Sequence, residues 1–415
     1  MNNSLRSTIL IIFLIIVGGA ILAGLTWGNY NYSSQNPGGN DFLVHWVGTQ
    51  ELIMKGVSPY ADEVALRIQT LAYGRPAQPG EHELRVAYPI YSTIFFAPFA
   101  IIENFTIARA VYMTFLEVCI FLLSLVCISL SRWRPGLIVL FIFFLFSVFW
   151  YHAIRPLING NAVIFVALLI TAALWAIRQE RDEFAGILLG FATIKPQVVI
   201  LVWIFITLWA ISKKRWRLLI WSYGTVAILS VIGFILVPGW LIQNFYEILR
   251  YPAYNPPGTP GAAFSQWFPG VGRQLGWGLT LVTAVILLIE WVLAWGKEYD
   301  WFLWTACLTL TISQWIGIQT DPGNFIVLLF PLVLFFVNLE NRWGKIANIF
   351  SVLIMIGLLI GLWALFLATV QFGDQPVQHP IMFFPLPFVV LCGLYWVRWW
   401  AIRPRRPLVE AMKVL

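Results

Sequence analysis

Charge is scarce in this 415-residue sequence: only 11% of its residues are Asp, Glu, Lys or Arg, while 60% are apolar. A soluble domain carries about 25% charged residues. The mean hydropathy is +0.80. This composition excludes a soluble globular enzyme, because such a protein needs more charged residues on its surface. It also excludes a disordered chain, because disordered chains have low hydrophobicity. It indicates an all-α polytopic membrane protein of the helical-bundle class.

Cysteine is also scarce, with four residues in the whole chain. All four lie inside apolar runs and no two of them form a CxxC pair: Cys119, Cys127, Cys307 and Cys392. This pattern excludes a disulfide framework and a cysteine-based metal site. We interpret these residues as small polarizable core side chains.

What the sequence does contain is a series of apolar runs separated by basic loops. The runs lie at 8–26, 106–130, 136–151, 162–177, 184–194, 197–211, 216–237, 278–296, 301–318, 323–338, 347–370 and 380–401. Reading them as 12 spans with both termini cytoplasmic places 17 of the 26 basic residues inside, as the positive-inside rule requires. The net charge of +7 therefore reflects topology and does not indicate a nucleic-acid partner.

Two assignments decide this topology. The short apolar stretch 88–102 contains Pro89 and Pro98 and is taken as a helix in the interface, although it could also span. The stretch 184–211 is taken as two short passes broken at Lys195-Pro196, although it could be one kinked helix. The prediction is a single transmembrane domain over 1–415, with a first outer loop at 27–104 that carries interfacial helices and a later outer loop at 238–277.

The first outer loop begins with a pattern that predicts an amphipathic helix. Asp41 and His45 are four residues apart and share one helix face, while Phe42, Trp46 and Ile53 follow an adjacent stripe. We expect this stripe to rest on lipid, so that the helix lies flat on the outer surface and holds a carboxylate at the water–lipid boundary. The alternative is that Asp41 is an ordinary acidic residue in the first turn of a solvated helix.

Three cations on the outer side are candidates for anion binding. Arg85 and Arg109 precede or begin apolar helices, where an arginine can either snorkel to the interface or bind phosphate. Lys195 is the sharpest of the three, because it interrupts an apolar stretch at a proline and a charge there is costly unless it has a partner or a function. The alternative for Lys195 is a structural ion pair with Glu117 or Glu290.

Two short outer loops are dense in polar groups. The second outer loop contains His152, Arg155, Asn159 and Asn161, and a later turn runs from Gln319 to Asn324 with Asp321 ahead of a proline. These side chains could contact a substrate. They could equally cap the helices that follow, as Asn and Asp commonly do.

Four local patterns together resemble a known family. They are Asp41 followed by G-x-S-P-Y at 56–60, Tyr88-Pro89 before an apolar stretch containing Pro98, Gly160-Asn161, and A-G-x-L-L-G-x-A-x-x-K-P at 185–196. In this order they resemble the GT-C superfamily of integral-membrane glycosyltransferases and, within it, glycosyltransferase family 87. The patterns cover roughly the first 200 residues of this chain, and the C-terminal half adds little beyond hydropathy.

The resemblance implies a fold and a set of site residues. It implies a GT-C-like bundle of about 12 helices, with Asp41 as the catalytic residue and Lys195, Arg85 and Arg109 as ligands of a donor phosphate. The remaining outer polar residues are predicted substrate contacts: His45, Tyr60, Tyr88, His152, Arg155, Asn159, Asn161, Gln197, Asp321 and Asn324. The chain departs from the family in two respects. The late outer loop lacks the family's histidines, and the second outer loop has asparagines where many relatives have a second acid.

The predicted function is therefore transfer of a mannose-like hexose from a polyprenyl-phosphate donor to a lipid or glycan acceptor, with inversion, on the non-cytoplasmic face of a bacterial inner membrane. We expect membrane lipids as partners, no nucleic acid, no cofactor other than the lipid-linked sugar and no divalent metal. Two other classes remain open: a transporter or lipid flippase, which should show paired broken helices near mid-membrane, and a non-catalytic scaffold.

Overall fold

The computed structural model describes residues 3–255, 258–316, 321–370 and 378–403. Over these ranges the chain is helical and contains no β-strand. An all-α fold follows from the apolar runs, because a helix satisfies its backbone hydrogen bonds within one segment and can therefore cross hydrocarbon alone. Some predictions of the sequence lie outside the described residues, namely those at 256–257, at 317–320, which include Gln319 and Thr320, and in the basic tail at 404–415.

The described chain divides into two compact units. Unit 1 comprises residues 3–86, 92–118 and 157–161, and unit 2 comprises 87–91, 119–156 and the described residues from 162 to 403.

Unit 1 contains the segment predicted as the first outer loop and the helices next to it. Its helices are α1 (Asn3–Gln35), α2 (Asn40–Lys55), α3 (Asp62–Tyr73), α4 (Ser92–Ala100) and the first half of α5 (Phe105–Ser131). In α1, Asn29 donates to Thr114 Oγ1 at 3.1 Å and to a Glu117 carboxylate oxygen at 3.0 Å, both in α5. Polar contacts of this kind fasten helices together where apolar contact gives no driving force.

The core of unit 1 is aromatic. Phe42 of α2 is fully buried and lies between rings of α4 and α5, stacked on Tyr112 with ring centroids 4.4 Å apart. Trp46, which is 4% exposed, donates its indole N–H to the Ile102 carbonyl at 3.1 Å. The prediction that Phe42 and Trp46 rest on lipid is therefore wrong for both residues, since each packs inside the protein. Ile53 of the same stripe is 49% exposed.

Unit 2 contains the remaining helices. They are the second half of α5, then α6 (Leu137–Phe149), α7 (Tyr151–Asn159, to Pro156), α8 (Val163–Arg178), α9 (Asp182–Ala192), α10 (Pro196–Ser212), α11 (Trp216–Leu236), α12 (Trp240–Tyr254), α13 (Pro260–Trp267), α14 (Gly272–Ala294), α15 (Tyr299–Ser313), α16 (Leu329–Trp343), α17 (Lys345–Thr369) and α18 (Pro385–Ala401). Two 3-10 helices, Pro322–Leu328 and Pro380–Phe383, complete it.

Glycines explain why α9 and α11 lie so close together. A Cβ at Gly186 would come within 2.7 Å of the Ser222 backbone nitrogen, and one at Gly190 within 2.5 Å of the Thr225 Cβ. The two glycines are four residues apart, which is the spacing that lets membrane helices approach closely. This part of the 185–196 pattern is therefore a packing motif.

Each of the 12 predicted apolar runs corresponds to a helix, which confirms the fold class. Within the described ranges, eight of these helices are long and apolar enough to cross a membrane: they include α1, α5, α11, α14 and α17, together with segments 137–159, 322–343 and 380–401. The other four runs form α8, α9, α10 and α15, which have 16, 11, 17 and 15 residues. The sidedness of these spans stays a prediction.

One helix boundary and the content of one loop differ from the prediction. The first helix was expected to end at 26 but continues to Gln35, because its later polar residues remain helical and several of them contact α5. The later outer loop at 238–277 carries helices α12 and α13. The helix α4 has nine residues and is too short to span a bilayer.

Candidate functional site

Asp41 stands in the first turn of α2, directly after two glycines that turn the chain. Gly38 and Gly39 have φ angles of +133° and +77°, a region that favours glycine. The Asp41 side chain is half-buried, and its Oδ2 accepts a hydrogen bond from Asn159 Nδ2 at 2.5 Å and another from Asn161 Nδ2 at 2.8 Å. The Nδ2 atoms of both asparagines are donors only, so the Asp41 oxygen that they share is the acceptor of both hydrogen bonds.

Close backbone packing brings the two asparagines to the carboxylate. Gly160, between them, has φ +68°, and a Cβ at this position would lie 2.5 Å from the Phe42 Cβ. The second outer loop thus rests directly on the first turn of α2. The sequence pattern Gly160-Asn161 marks this contact, and the glycine is there because no side chain fits.

Arg109, at the start of α5, holds the same two segments from the other side. Its Nη1 donates to the Asn36 carbonyl at 2.8 Å and its Nη2 to the Ile158 carbonyl at 3.1 Å. The side chain is 1% exposed. Both terminal nitrogens are engaged by protein backbone, which argues against the predicted contact of Arg109 with a donor phosphate.

Three other predicted residues of unit 1 lie in its interior. His45 is 7% exposed and stacks on Phe96 with ring centroids 4.6 Å apart. Arg85, 8% exposed, donates from Nη2 to the Asp62 carboxylate at 2.6 Å and to the Tyr60 carbonyl at 3.3 Å. Tyr60 and Arg85 therefore help to shape the bend before α3, and their roles in substrate binding stay predictions.

The loop between Arg75 and Leu84, also in unit 1, is held by side chains. Arg75 binds both carboxylate oxygens of Glu81 at 2.7 Å, and this hydrogen bonding lowers the pKa of Glu81 to about 2. The Leu84 amide donates to His82 Nδ1 at 3.0 Å. Burial lowers the pKa of His82 to about 4, so this imidazole stays neutral at physiological pH.

In unit 2, Lys195 occupies the predicted helix break. It is the residue before α10, and Pro196 takes the first position of that helix. The side chain is 2% exposed, and its ammonium lies 5.6 Å from the centre of the Tyr88 ring, within reach of a cation–π interaction. The two glutamates considered as alternative partners have other contacts, since Arg398 binds Glu290 at 2.8 Å and Asn29 binds Glu117.

Neighbouring side chains stabilise this break. The Tyr91 hydroxyl donates to the Thr193 carbonyl at 3.2 Å, one of the backbone groups that the break frees. Burial raises the pKa of Tyr91, so it remains a donor. Asn244 of α12, 6% exposed, donates to the carbonyls of Ala87 and Tyr88 at 3.0 and 3.2 Å. Gln197 lies half-buried in the first turn of α10.

His152 and the residues of the predicted late outer turn form a separate contact within unit 2. The fully buried His152 hydrogen-bonds through Nδ1 to the Pro322 carbonyl at 2.7 Å. Asp321 caps the 3-10 helix Pro322–Leu328 by accepting from the Gly323 amide at 2.6 Å, which is the capping role considered as the alternative. Asn324 is 3% exposed, and Arg155 is half-buried.

The structure thus brings Asp41, Asn159 and Asn161 together, with Arg109 behind them, and separately brings Lys195 and Tyr88 together. Sequence reasoning did not identify Gly39 or Asn244. Gly39 carries a detectable signal, a Gly-Gly pair before an acidic helix start. Asn244 carries none, because its partner carbonyls are about 156 residues away in the chain.

Metal binding was expected to be absent. Across the part of the chain that the structure describes, no group of three or more His, Cys, Asp or Glu side chains could hold a metal ion. The independence of the activity from divalent metal stays a prediction.

The chain is similar to known glycosyltransferases. The model of glycosyltransferase family 87 matches residues 87–313, a range that contains Tyr88, Arg109, Asn159, Asn161 and Lys195 and that begins after Asp41. An alpha-(1->3)-arabinofuranosyltransferase from Corynebacterium glutamicum is 22% identical over 248 residues, which are 58% of this chain and 58% of that protein. The match thus spans little more than half of the relative's length. With the family model covering more than half of its residues, this helical membrane protein belongs to glycosyltransferase family 87.

Proposed function

We propose that this family 87 glycosyltransferase moves a sugar from a polyprenyl-phosphate donor to a hydroxyl of a lipid or glycan acceptor, with Asp41 as the general base. The observation that carries the proposal is the pair of amide hydrogen bonds to Asp41 Oδ2 at 2.5 and 2.8 Å. They orient a half-buried carboxylate, and a base must be held in geometry before it can take a proton efficiently.

The proposed transfer needs no general acid. The acceptor oxygen attacks the anomeric carbon while its proton passes to Asp41, and the bond between the anomeric carbon and the phosphate oxygen breaks. The electron pair of that bond leaves on the phosphate. Because attack and departure occur on opposite faces of the sugar, the anomeric configuration inverts. The departing phosphate is already a weak base, so a cation near it assists more than a proton would.

Lys195 is the cation that we assign to the donor phosphate. Its burial beside the Tyr88 ring, at a helix break closed by Tyr91 and Asn244, costs free energy, and such a cost in a membrane protein usually serves a function. A buried ammonium attracts an anion more strongly than an exposed one, because water screens it less. The Tyr88 ring stabilises the ammonium when no phosphate is bound.

The sugar has two candidates. A mannose-like hexose is our first, from the resemblance of the sequence patterns. The arabinofuranosyl transfer named for the Corynebacterium relative favours a pentofuranose as the second. We place the reaction on the non-cytoplasmic face of a bacterial inner membrane, because the topology that best satisfies the positive-inside rule puts Asp41 there.

A reconstituted assay tests the proposal. The protein in lipid nanodiscs is given radiolabelled polyprenyl-phosphate mannose, glucose or arabinofuranose, or a nucleotide sugar, with a membrane lipid and glycan extract as acceptor. We expect transfer from one lipid-linked donor, no transfer from the nucleotide sugar, inverted product by NMR, and activity that survives EDTA. Transfer only from the nucleotide sugar would contradict the donor class.

Variants test the residues. Asp41→Asn should abolish transfer while donor binding persists, and the matched control Glu63→Gln, an exposed carboxylate of α3, should not alter turnover. Lys195→Ala should raise the donor KM, and the exposed Lys214→Ala should not. Normal turnover by Asp41→Asn would remove the base from the mechanism, and an unchanged donor KM in Lys195→Ala would remove the phosphate contact.

A further inference from the structure

Arg109 is buried beside the Asp41 cluster, and within the described residues none of its hydrogen bonds ends on a carboxylate or a hydroxyl. Its two hydrogen bonds end on backbone carbonyls, and its guanidinium lies 5.7 Å from the centre of the Tyr32 ring. We infer that Arg109 is a positioning residue for sugar transfer, which fixes the backbone on either side of the Asp41–asparagine contact. The inference rests on the proposed role of Asp41 as the base.

The two carbonyls belong to the two segments that must meet. Asn36 precedes the glycine turn that leads into α2, and Ile158 immediately precedes Asn159. The planar guanidinium presents parallel donors in a fixed geometry, so one side chain bridges both segments at 2.8 and 3.1 Å. A lysine could donate to either carbonyl but would not impose the same spacing, because its ammonium is a single point on a flexible stem.

Gly39 shows how closely the guanidinium fits. A Cβ at this position would lie 2.6 Å from Arg109 Nε and 2.9 Å from its Cδ, so the side chain packs flat against the turn two residues before Asp41. Displacing the arginine therefore moves the start of α2 as well as the second outer loop. The carboxylate and its two amide donors would separate, although neither is altered chemically.

Position alone can change turnover. A displacement of about 1 Å at a reacting group can cost roughly 100-fold in rate. Because Arg109 binds protein backbone and acts on Asp41 only through the segments that contain Asn36 and Ile158, its loss should lower kcat and leave the donor KM unchanged. A phosphate ligand would behave in the opposite way, since its loss weakens donor binding.

The test compares Arg109→Lys with a matched structural variant, Asn29→Ala, in the nanodisc assay. Asn29 is also buried in unit 1 and bonds to α5, but it holds α1 and is remote in sequence from the asparagine loop. We expect Arg109→Lys to lose about 100-fold in kcat with an unchanged donor KM. We expect Asn29→Ala to lower the melting temperature and keep the wild-type kcat below it. An equal kcat loss in both variants would reduce Arg109 to a structural residue, and a raised donor KM with normal kcat would make it a donor ligand; either overturns the inference.

Two further variants keep the test decisive. If Arg109→Lys does not fold, Gly39→Ala replaces it, because the added methyl group presses against Arg109 without removing the charge of the guanidinium. Gly39→Ala should lower kcat and leave the donor KM unchanged. A wild-type kcat in Gly39→Ala would overturn the inference. In an Asn161→Ala background, Arg109→Lys should cost less than it does alone, because both act on the same contact, whereas fully additive losses would contradict it.

The Asp41→Asn variant separates this inference from the proposed function. If Asp41→Asn is inactive and Arg109→Lys has wild-type kcat, the positioning role fails and the base assignment stands. If Asp41→Asn turns over normally, the proposed function fails and the positioning role fails with it.

Discussion

Replacing Gly160 with alanine perturbs the loop that carries Asn159 and Asn161. The added Cβ would lie 2.5 Å from the Phe42 Cβ, closer than real carbon contacts allow, and the backbone there has φ +68°. The left-handed conformation costs a non-glycine residue about 1–2 kcal/mol. Overpacking against a buried ring costs about 1–3 kcal/mol. Gly160→Ala should therefore destabilise unit 1 by about 2–5 kcal/mol, or move the loop away from α2 to relieve the clash.

Gly74 provides the matched control. It ends α3 with φ +72°, and a Cβ there would meet nothing within 4 Å. Gly74→Ala carries the conformational cost alone, about 1–2 kcal/mol. The difference between the two variants isolates the close approach of the second outer loop to Phe42.

The assay is thermal unfolding together with sugar transfer by the same nanodisc preparations. Gly160→Ala should melt below Gly74→Ala and should lose turnover at temperatures where it is still folded, because the asparagine amides no longer reach Asp41. If the two variants share one melting temperature and one kcat, the close packing of this loop against Phe42 does not determine the geometry around Asp41.

Two other predictions concern the rest of the molecule. Asn244→Ala should raise the donor KM and lower the melting temperature, because the half-buried carbonyls of Ala87 and Tyr88 lose their donor at a cost of about 1 kcal/mol. A donor titration and a thermal melt that both match the wild type would contradict this. Burial lowers the pKa of His82 from 6.5 to about 4, so as pH falls the unfolded state binds the proton before the folded state does. The stability that neutral His82 contributes is therefore complete above about pH 6.5 and is lost as pH falls toward 4. The free energy of unfolding changes over this window by at most about 1.4 kcal/mol per pH unit. The protection factor of the Leu84 amide, which is corrected for the intrinsic pH dependence of exchange, should therefore decrease as pH falls over this range in the wild type and remain constant in His82→Asn, which keeps an acceptor but does not titrate.

The helices could be predicted because hydropathy is a local property. Each apolar run contains a helix, and the predicted break at Lys195-Pro196 is confirmed, since proline removes a backbone hydrogen bond and its ring disfavours continuation of the preceding helix. The predicted end of α1 differs from the observed one because hydropathy falls after residue 26, whereas contacts of Asn29 and Ser33 with α5 accompany a helix that continues to Gln35. Phe42 and Trp46 were assigned to lipid because a sequence stripe shows that a face is apolar, but not whether lipid or protein covers it.

The arrangement of the site could not be predicted from the sequence, because it depends on contacts between residues that are distant in the chain. Asp41, Asn159 and Asn161 are each site candidates in the sequence, but nothing in the sequence pairs residues that are 118 and 120 positions apart. For Arg109 the sequence indicated an outer cation, and only the three-dimensional structure could distinguish phosphate binding from bonds to the Asn36 and Ile158 carbonyls. Gly39 and Gly160 are required because a Cβ at either position would clash with a neighbouring side chain, and only the structure identifies these neighbours as Arg109 and Phe42.

The long separation between Asp41 and its amide donors has a consequence for biosynthesis. A ribosome adds about 5–20 residues per second, so Asn159 emerges roughly 6–24 s after the aspartate. During that interval the nascent chain has α1 and the Asp41 carboxylate, but neither amide. In the proposed mechanism, sugar transfer therefore begins only after the segment that ends at Asn161 has been made, and a ribosome stalled before that point would leave a fragment that has the Asp41 carboxylate without the amides that orient it.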